Sequence, residues 1–250
     1  MRNFATEIVK KGMIPKIIHL CWFSKESYPL EIKACIETWQ KLLPDYRIRH
    51  WSYDEAKAIG CQFIDEALAN HKWAFAADAV RFYAVYTEGG VYMDSDIYLF
   101  RRFDEIIPDS GCVTVNEYMP EHDGHASLQA AFFMGEKGNR FCKQMFDYYS
   151  TQHFENPDGT LNQTISPYIM ALLAEEYGYV DDNTEQHLEG LTVYPTHYLL
   201  PRKRAKRTEE SIGVHCIYGS WRDRKFGRRV ELAVKRTWHG LKYLFSGKYF

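Results

Sequence analysis

The 250-residue chain lacks the marks of several protein classes. None of its six cysteines forms a C-x-x-C pair, so a cysteine zinc site is not expected, and a chain this size needs no disulfide staples. A reducing compartment fits free thiols. There is no run of 18 apolar residues, hence no expected membrane span. Met1 to Lys11 is charged and carries no apolar run, so no secretory signal is expected. A G-x-G-x-x-G fingerprint is absent, which argues against a Rossmann dinucleotide site. Internal repeats and low-complexity tracts are missing too.

What is present describes an ordinary folded protein. Hydrophobic residues make up 46% and charged residues 26%, with aromatics high at 16%. Length and composition fit one large α/β domain or two small ones and exclude a largely disordered chain or a coiled-coil rod. The net charge of −2 hides an asymmetry. Residues 201–250 hold 14 Lys/Arg and 4 Asp/Glu, leaving 17 and 29 for residues 1–200. A basic tail on an acidic body suggests a surface that meets an anion. Since no recognised nucleic-acid module appears, nucleic acid is not an expected partner.

Ile14 to Phe23 is apolar and β-branched, and reads as a buried first strand beginning after Pro15. Tyr28 to Gln40 places Leu30, Ala34 and Thr38 near one helical face, with Ile32, Ile36 and Trp39 beside it, a helix closed by Pro44. Tyr46 to Trp51 alternates as a second strand. Strand, helix, strand in that order predicts a parallel α/β sheet. Residues 54–86 read as mostly helical, closing at Glu88-Gly89-Gly90. Further strands are expected at Val91–Met93, Gly111–Asn116, Ser127–Met134, Leu191–Tyr194 and Gly213–Tyr218. Helices are expected at Asn139–Tyr149 and Pro167–Tyr177. From Val230 onward, Val230, Val234, Trp238, Leu241 and Phe245 form one apolar stripe flanked by Arg and Lys, the pattern of an interfacial helix.

The strongest local signal is Gly89-Gly90-Val91-Tyr92-Met93-Asp94-Ser95-Asp96. Two carboxylates leave the ladder at the carboxyl end of a buried strand, where open α/β sheets place ligands. Hard oxygen ligands of this kind suit Mg²⁺ or Mn²⁺. One helix earlier, Asp78 and Arg81 lie three apart on one face in apolar surroundings, where a buried ion pair is costly unless it has a task. Chemistry alone leaves three classes open: a transferase, a metal-dependent hydrolase of nucleotide sugars, and a non-catalytic glycan- or nucleotide-binding protein.

Motifs spread through residues 14 to 221 resemble one family in its own order. They are Ile14-Pro15-Lys16-Ile17-Ile18-His19 through Trp22, Trp39 to Pro44 with Trp51, and Ala77-Asp78 with Arg81. Gly89 through Asp96 follows, and then His215 ahead of Ser220-Trp221. The set resembles DxD-containing sugar transferases related to yeast initiating α-mannosyltransferases and to bacterial capsule and lipopolysaccharide sugar transferases. It is more distantly similar to the glucosylating domains of large clostridial toxins.

The resemblance implies a GT-A catalytic domain over residues 1–221, with a mostly parallel central sheet flanked by helices, and a basic amphipathic helix over 222–250. It further implies a retaining glycosyltransferase that uses Mn²⁺ or Mg²⁺ and a nucleotide diphosphate sugar. UDP-galactose and UDP-glucose are favoured over GDP-mannose. The implied acceptor is a glycan or lipid-linked glycan in capsule, lipopolysaccharide or exopolysaccharide synthesis. A cytoplasmic enzyme, peripheral on the inner face of the membrane through an anionic lipid surface, is the matching location.

By the same resemblance Trp22 stacks on the base, Asp78 and Arg81 hold the donor sugar, and Tyr92 contacts the donor or braces the metal loop. Asp94 reaches ribose or ion, Asp96 ligates the metal directly, and His215 is a third ligand. Ser220 and Trp221 fold over the diphosphate. Relatives often carry an asparagine after the DxD strand. The nearest counterpart here is Gln129, with Asn116 and Glu117 also placed to meet an acceptor.

Overall fold

The computed structural model describes residues 13–118, 126–201 and 206–216. Ser220, Trp221, the boundary at 221 and the helix expected over 222–250 lie outside the described residues.

The first strand, β1 (Ile17–Cys21), begins two residues after Pro15 as the sequence predicts. Helix α1 (Leu30–Leu42) follows, and β2 (Arg47–Trp51) pairs parallel to β1. The buried side of α1 includes Ala34, Ile32 and Trp39, as expected, together with Cys35, whereas Leu30 is 40% exposed. A stripe of i, i+3, i+7 spacing wins because Trp39 offers far more apolar area than Leu30.

The helical stretch expected over 54–86 is three helices. These are α2 (Tyr53–Lys57), α3 (Gln62–Ala69) and α4 (Trp73–Glu88). The breaks fall at Gly60 and His71, both at positive φ. From there β3 (Gly90–Met93), β4 (Ile97–Leu99), β5 (Cys112–Tyr118) and β6 (Ala126–Gly135) succeed one another. Helix α5 (Arg140–Ser150) is capped by the Asn139 side chain, which accepts from the Cys142 N–H at 3.0 Å. Then come α6 (Ser166–Glu175), β7 (Gln186–Leu188), β8 (Leu191–Tyr194), β9 (Leu199–Pro201) and β10 (Gly213–His215).

Seven strands form the central sheet in the order β2-β1-β3-β6-β5-β8-β7. Five run the same way, and β6 and β7 run against them. The expectation of a mostly parallel sheet therefore holds. Strands β4, β7 and β9 have no counterpart in the sequence reading. β4, β10 and β9 make a second, three-stranded sheet.

Apolar side chains pack on both faces of the large sheet. Tyr92 and Phe133 point into one core with residues of α3 to α6, while Val91, Met93, Phe132 and Met134 point into the other with Trp39. All four residues of β3 are buried, and the turn that follows keeps Asp94 and Ser95 half-buried and Asp96 buried.

Candidate active site

The site is built from the end of α4. Gly89 sits at φ +70° and Gly90 at φ +117°. A Cβ on Gly90 would lie 2.6 Å from the Ile17 carbonyl oxygen, so only glycine lets β3 start this close to β1. The His19 Nε2 lies 2.7 Å from the Gly89 carbonyl, and His19 Nδ1 accepts the Trp51 indole N–H at 3.1 Å. With Nδ1 accepting, Nε2 carries the proton and donates. His19 is thus a neutral structural clamp, and burial holds its pKa below the ordinary value.

Where β3 leaves the ladder, three backbone contacts set the acidic turn. The Asp94 N–H donates to Ala131 O at 2.8 Å, the Ile97 N–H closes back on Asp94 O at 3.0 Å, and the Cys216 N–H donates to Asp96 O at 3.0 Å. The Trp39 indole supports the turn from behind, donating to Ile97 O at 2.7 Å. The Cys216 contact brings the end of β10 to the turn and His215 with it. His215 Nε2 lies 3.4 Å from Asp96 Oδ1 and 4.0 Å from Asp94 Oδ2. One ligand atom from each of Asp94, Asp96 and His215 falls within 4.8 Å of the others.

Arg81 lies beside this cluster and is 5% exposed. Its guanidinium is 2.8 Å from Asp78 and 3.6 Å from Asp94, and it donates to the carbonyls of Ala130 at 2.8 Å and Ala77 at 3.1 Å. It also lies 4.8 Å from the centre of the Tyr92 ring. The Tyr92 hydroxyl donates to Asp94 Oδ1 at 2.7 Å, which fixes that carboxylate. Burial raises the Tyr92 pKa well above its ordinary value and keeps the phenol a donor.

Burial pushes Asp78 up to about 6 against the pull of Arg81 and of hydrogen bonds from Ser166. At His215 burial acts downward, but the charge and hydrogen bond of Asp96, helped by Asp94 and Glu117, push it up to about 9. Among the described residues, the buried His215 Nδ1 has no hydrogen-bond partner. Two carboxylates and an imidazole at this spacing fit a hard or borderline divalent cation, and a cation would replace the proton these carboxylates now draw onto His215.

Most of the predicted site residues meet here: Asp78, Arg81, Tyr92, Asp94, Asp96 and His215. Gln129 is buried nearby on β6, where its Oε1 accepts the Ala131 N–H at 3.1 Å. With Asn116, half-buried Glu117 and His215 it lines a small pocket closed by Thr196 and Pro201. A bulge in β5 between Thr114 and Asn116 reorients the strand just ahead of these residues. Asn116 itself is held, accepting from the Tyr179 hydroxyl at 2.6 Å. Trp22 follows the end of β1, partly exposed, its indole donating to Glu26 O at 3.0 Å and its ring edge-on to Tyr28. Sequence reasoning missed Trp39 as the support of the turn and Ser166 as a partner of Asp78. Only the tryptophan carried any signal, as the large residue of a helical stripe.

The fold is that of the GT-A sugar transferases, as the likeness to a solved glycosyltransferase shows. Among solved structures, the PaToxG glycosyltransferase is similar over 66% of this chain and 70% of its own, at 18% identity and a TM-score of 0.53. Galactosyltransferase LgtC in complex with donor and acceptor sugar analogues is similar at 11% identity over 74% of this chain and 76% of its own, with a TM-score of 0.42. A glycosyltransferase involved in the glycosylation of the major capsid of PBCV-1 matches at 16% identity over 88% and 98%, with a TM-score of 0.44. No curated protein sequence matches the chain. The family model described as "glycosyltransferase sugar-binding region containing DXD motif" matches residues 29–112, the stretch holding Asp78, Arg81, Asp94 and Asp96. That match spans 84 of the 250 residues, and the glycosyltransferase resemblance read from the motifs agrees with it.

Proposed function

We propose that this chain is a retaining, metal-dependent glycosyltransferase. It moves a hexose from a nucleotide diphosphate sugar, UDP-galactose or UDP-glucose ahead of GDP-mannose, to a glycan acceptor in surface polysaccharide synthesis. The observation that carries the reading is the Asp94, Asp96 and His215 cluster set against the buried Asp78–Arg81 pair. Asp94, Asp96 and His215 would hold Mn²⁺ or Mg²⁺. When bound, the ion supplies positive charge to a departing diphosphate.

The chain's own groups do the rest. Arg81 is a buried cation fixed by two backbone carbonyls, so it offers a pre-set charge to phosphate or sugar oxygens without reorganising. Asp78 accepts from sugar hydroxyls and orients the ring. Tyr92 keeps Asp94 in one rotamer. Trp22, partly exposed beside Tyr28, offers a ring face to the base. Gln129 and Glu117 are assigned to the acceptor. The sugar leaves and is attacked on the same face, with the departing diphosphate taking the acceptor proton. A sugar covalently trapped on Glu117 would overturn this front-face course.

Among the described residues no helix is long and apolar enough to cross a membrane. The basic segment 222–250 is proposed to touch an anionic lipid surface, placing a cytoplasmic enzyme near a lipid-linked acceptor. Flotation of the full chain with anionic vesicles, against one cut after Ser220, tests this, and equal behaviour refutes it.

A thermal-shift panel of UDP, GDP, UDP-glucose, UDP-galactose and GDP-mannose, each with and without Mn²⁺, tests the main reading. The expected result is stabilisation by one nucleotide and its sugar, strengthened by the ion. Equal stabilisation of a chain lacking the Asp94 and Asp96 carboxylates refutes it. Free sugar released at a rate no acceptor changes would reassign the chain as a hydrolase.

A further inference from the structure

The two nitrogens of His215 have different surroundings. Nε2 faces the acidic turn, 3.4 Å from Asp96 Oδ1 and 4.0 Å from Asp94 Oδ2. Nδ1 is buried and, among the described residues, has no hydrogen-bond partner. An imidazole that ligates a cation through Nε2 carries its proton on Nδ1, and that N–H needs an acceptor to fix the tautomer and the ring. The ring also lines the small pocket shared with Asn116, Glu117, Gln129 and Thr196, which neither Asp94 nor Asp96 borders. The room inside it for a water-sized sphere is about 10 Å³, enough for one water and far too little for a sugar ring.

The side-chain acceptors of this pocket can be taken in turn. Asn116 is engaged at both ends of its amide: Oδ1 accepts the Tyr179 hydroxyl at 2.6 Å and Nδ2 donates to Thr184 O at 3.5 Å. Gln129 Oε1 already accepts the Ala131 N–H at 3.1 Å. Two side-chain acceptors remain, the Glu117 carboxylate and the Thr196 hydroxyl, and only the first is charged. Burial raises the Glu117 pKa, and the charge of His215 is the largest pull against that rise.

We propose that Glu117 is a positioning residue for His215: its carboxylate accepts the Nδ1 proton's hydrogen bond across this pocket, through one water, and so leaves the Nε2 lone pair aimed at Asp94 and Asp96. The inference rests on Asp94, Asp96 and His215 holding a divalent cation, as read above. It gives Glu117 a task besides the acceptor assigned to it. The imidazole is then set before the ion arrives, and the ion meets a ligand that need not turn.

The test titrates Mn²⁺ alone into the full-length chain and reads bound ion from the loss of the free-ion electron paramagnetic resonance signal. Glu117→Gln removes the charge at nearly constant size and is expected to weaken Mn²⁺ by about 10-fold or more, the effect of losing the partner of a metal-ligating histidine. Mg²⁺ takes oxygen ligands in preference to imidazole and is measured by competition with Mn²⁺. It is expected to lose less, so the preference for Mn²⁺ falls. A merely structural role would lower both ions alike. Glu117→Asp keeps the carboxylate on a shorter arm and is expected to lose less than Glu117→Gln, and it carries the comparison of the two ions if Glu117→Gln does not fold. Thr196→Val removes the other remaining acceptor and is expected to leave Mn²⁺ unchanged within about twofold. In a His215→Ala background Glu117→Gln is expected to add nothing, since neighbours acting through one group are not additive. A change below twofold in Glu117→Gln, an equal loss for both ions, the loss appearing in Thr196→Val instead, or a full additional loss on top of His215→Ala overturns the proposal. If Asp96→Ala binds Mn²⁺ as the native chain does, the cation site itself fails and the positioning role falls with it.

Discussion

Charge is gathered at both ends of the parallel strands β1, β2 and β3, and the two gatherings differ in kind. At the start of the strands, Lys16 lies 2.5 Å from Asp45, and Arg102 lies 2.8 Å from Asp45 and 2.7 Å from Asp104. Two cations face two carboxylates in the open, and Arg102 and Lys16 hold Asp45 well below the usual carboxylate range. Nothing more is called for there. At the other end, among the described residues, Arg81 pairs with Asp78 and Asp94, and His215 lies beside Asp94 and Asp96, with half-buried Glu117 close by. Carboxylate clusters are common on protein surfaces. One that gathers partly buried carboxylates and an imidazole at a strand end is a place where a bound cation would offset their charge.

The sharpest way to break this contrast is to remove a charge from each end. Asp96→Ala is expected to abolish Mn²⁺-dependent nucleotide binding, a loss larger than the roughly 10- to 100-fold that follows removal of a supporting group, as read by calorimetry. A second variant acts on the scaffold between the ends. Gly90→Ala forces a Cβ against the Ile17 carbonyl at a φ that side chains avoid. It is expected to cost on the order of 3 kcal/mol in urea unfolding.

The pH dependence separates the two ends more finely. Asp78 titrates near 6 in the native protein, above its ordinary value. The native state therefore keeps this proton to higher pH than the unfolded chain does. Its contribution to stability falls as pH rises from the ordinary carboxylate range to about 6 and is level beyond. Nucleotide-sugar affinity that uses the carboxylate is expected to rise with pH through about 6, and the rise should vanish in Asp78→Asn. Isothermal titrations from pH 5 to 8 check this. The smallest effect is expected at the balanced end. Arg102→Ala should leave nucleotide binding unchanged and shift the melting temperature little, and less still in high salt.

Several of these features are legible in the order of residues alone. Pro15 followed by β-branched residues marks β1, and the Gly89-Gly90 pair ahead of Val91-Tyr92-Met93 marks a strand that ends on two carboxylates. The family's motif order points to His215. The strand β4 could not be found this way. Ile97-Tyr98-Leu99 is three residues long, and its pairing with β10 joins segments more than a hundred residues apart in the chain. Helix α1 shows the same limit on a small scale, because periodicity offers more than one stripe and the partner surface chooses among them. Ser166 left no trace at all, since a serine before Pro167 reads as an ordinary helix start.

What the sequence determined by itself was local. A glycine pair permits a backbone that no other residues allow, four apolar residues make a buried strand, and the carboxylates that follow must leave it. The tertiary structure alone decided which groups surround those carboxylates: Arg81 and Tyr92 from the side, Trp39 from behind, and His215 across the turn. It decided their charge as well, because a proton's affinity depends on burial and on distances between residues that the chain sets far apart.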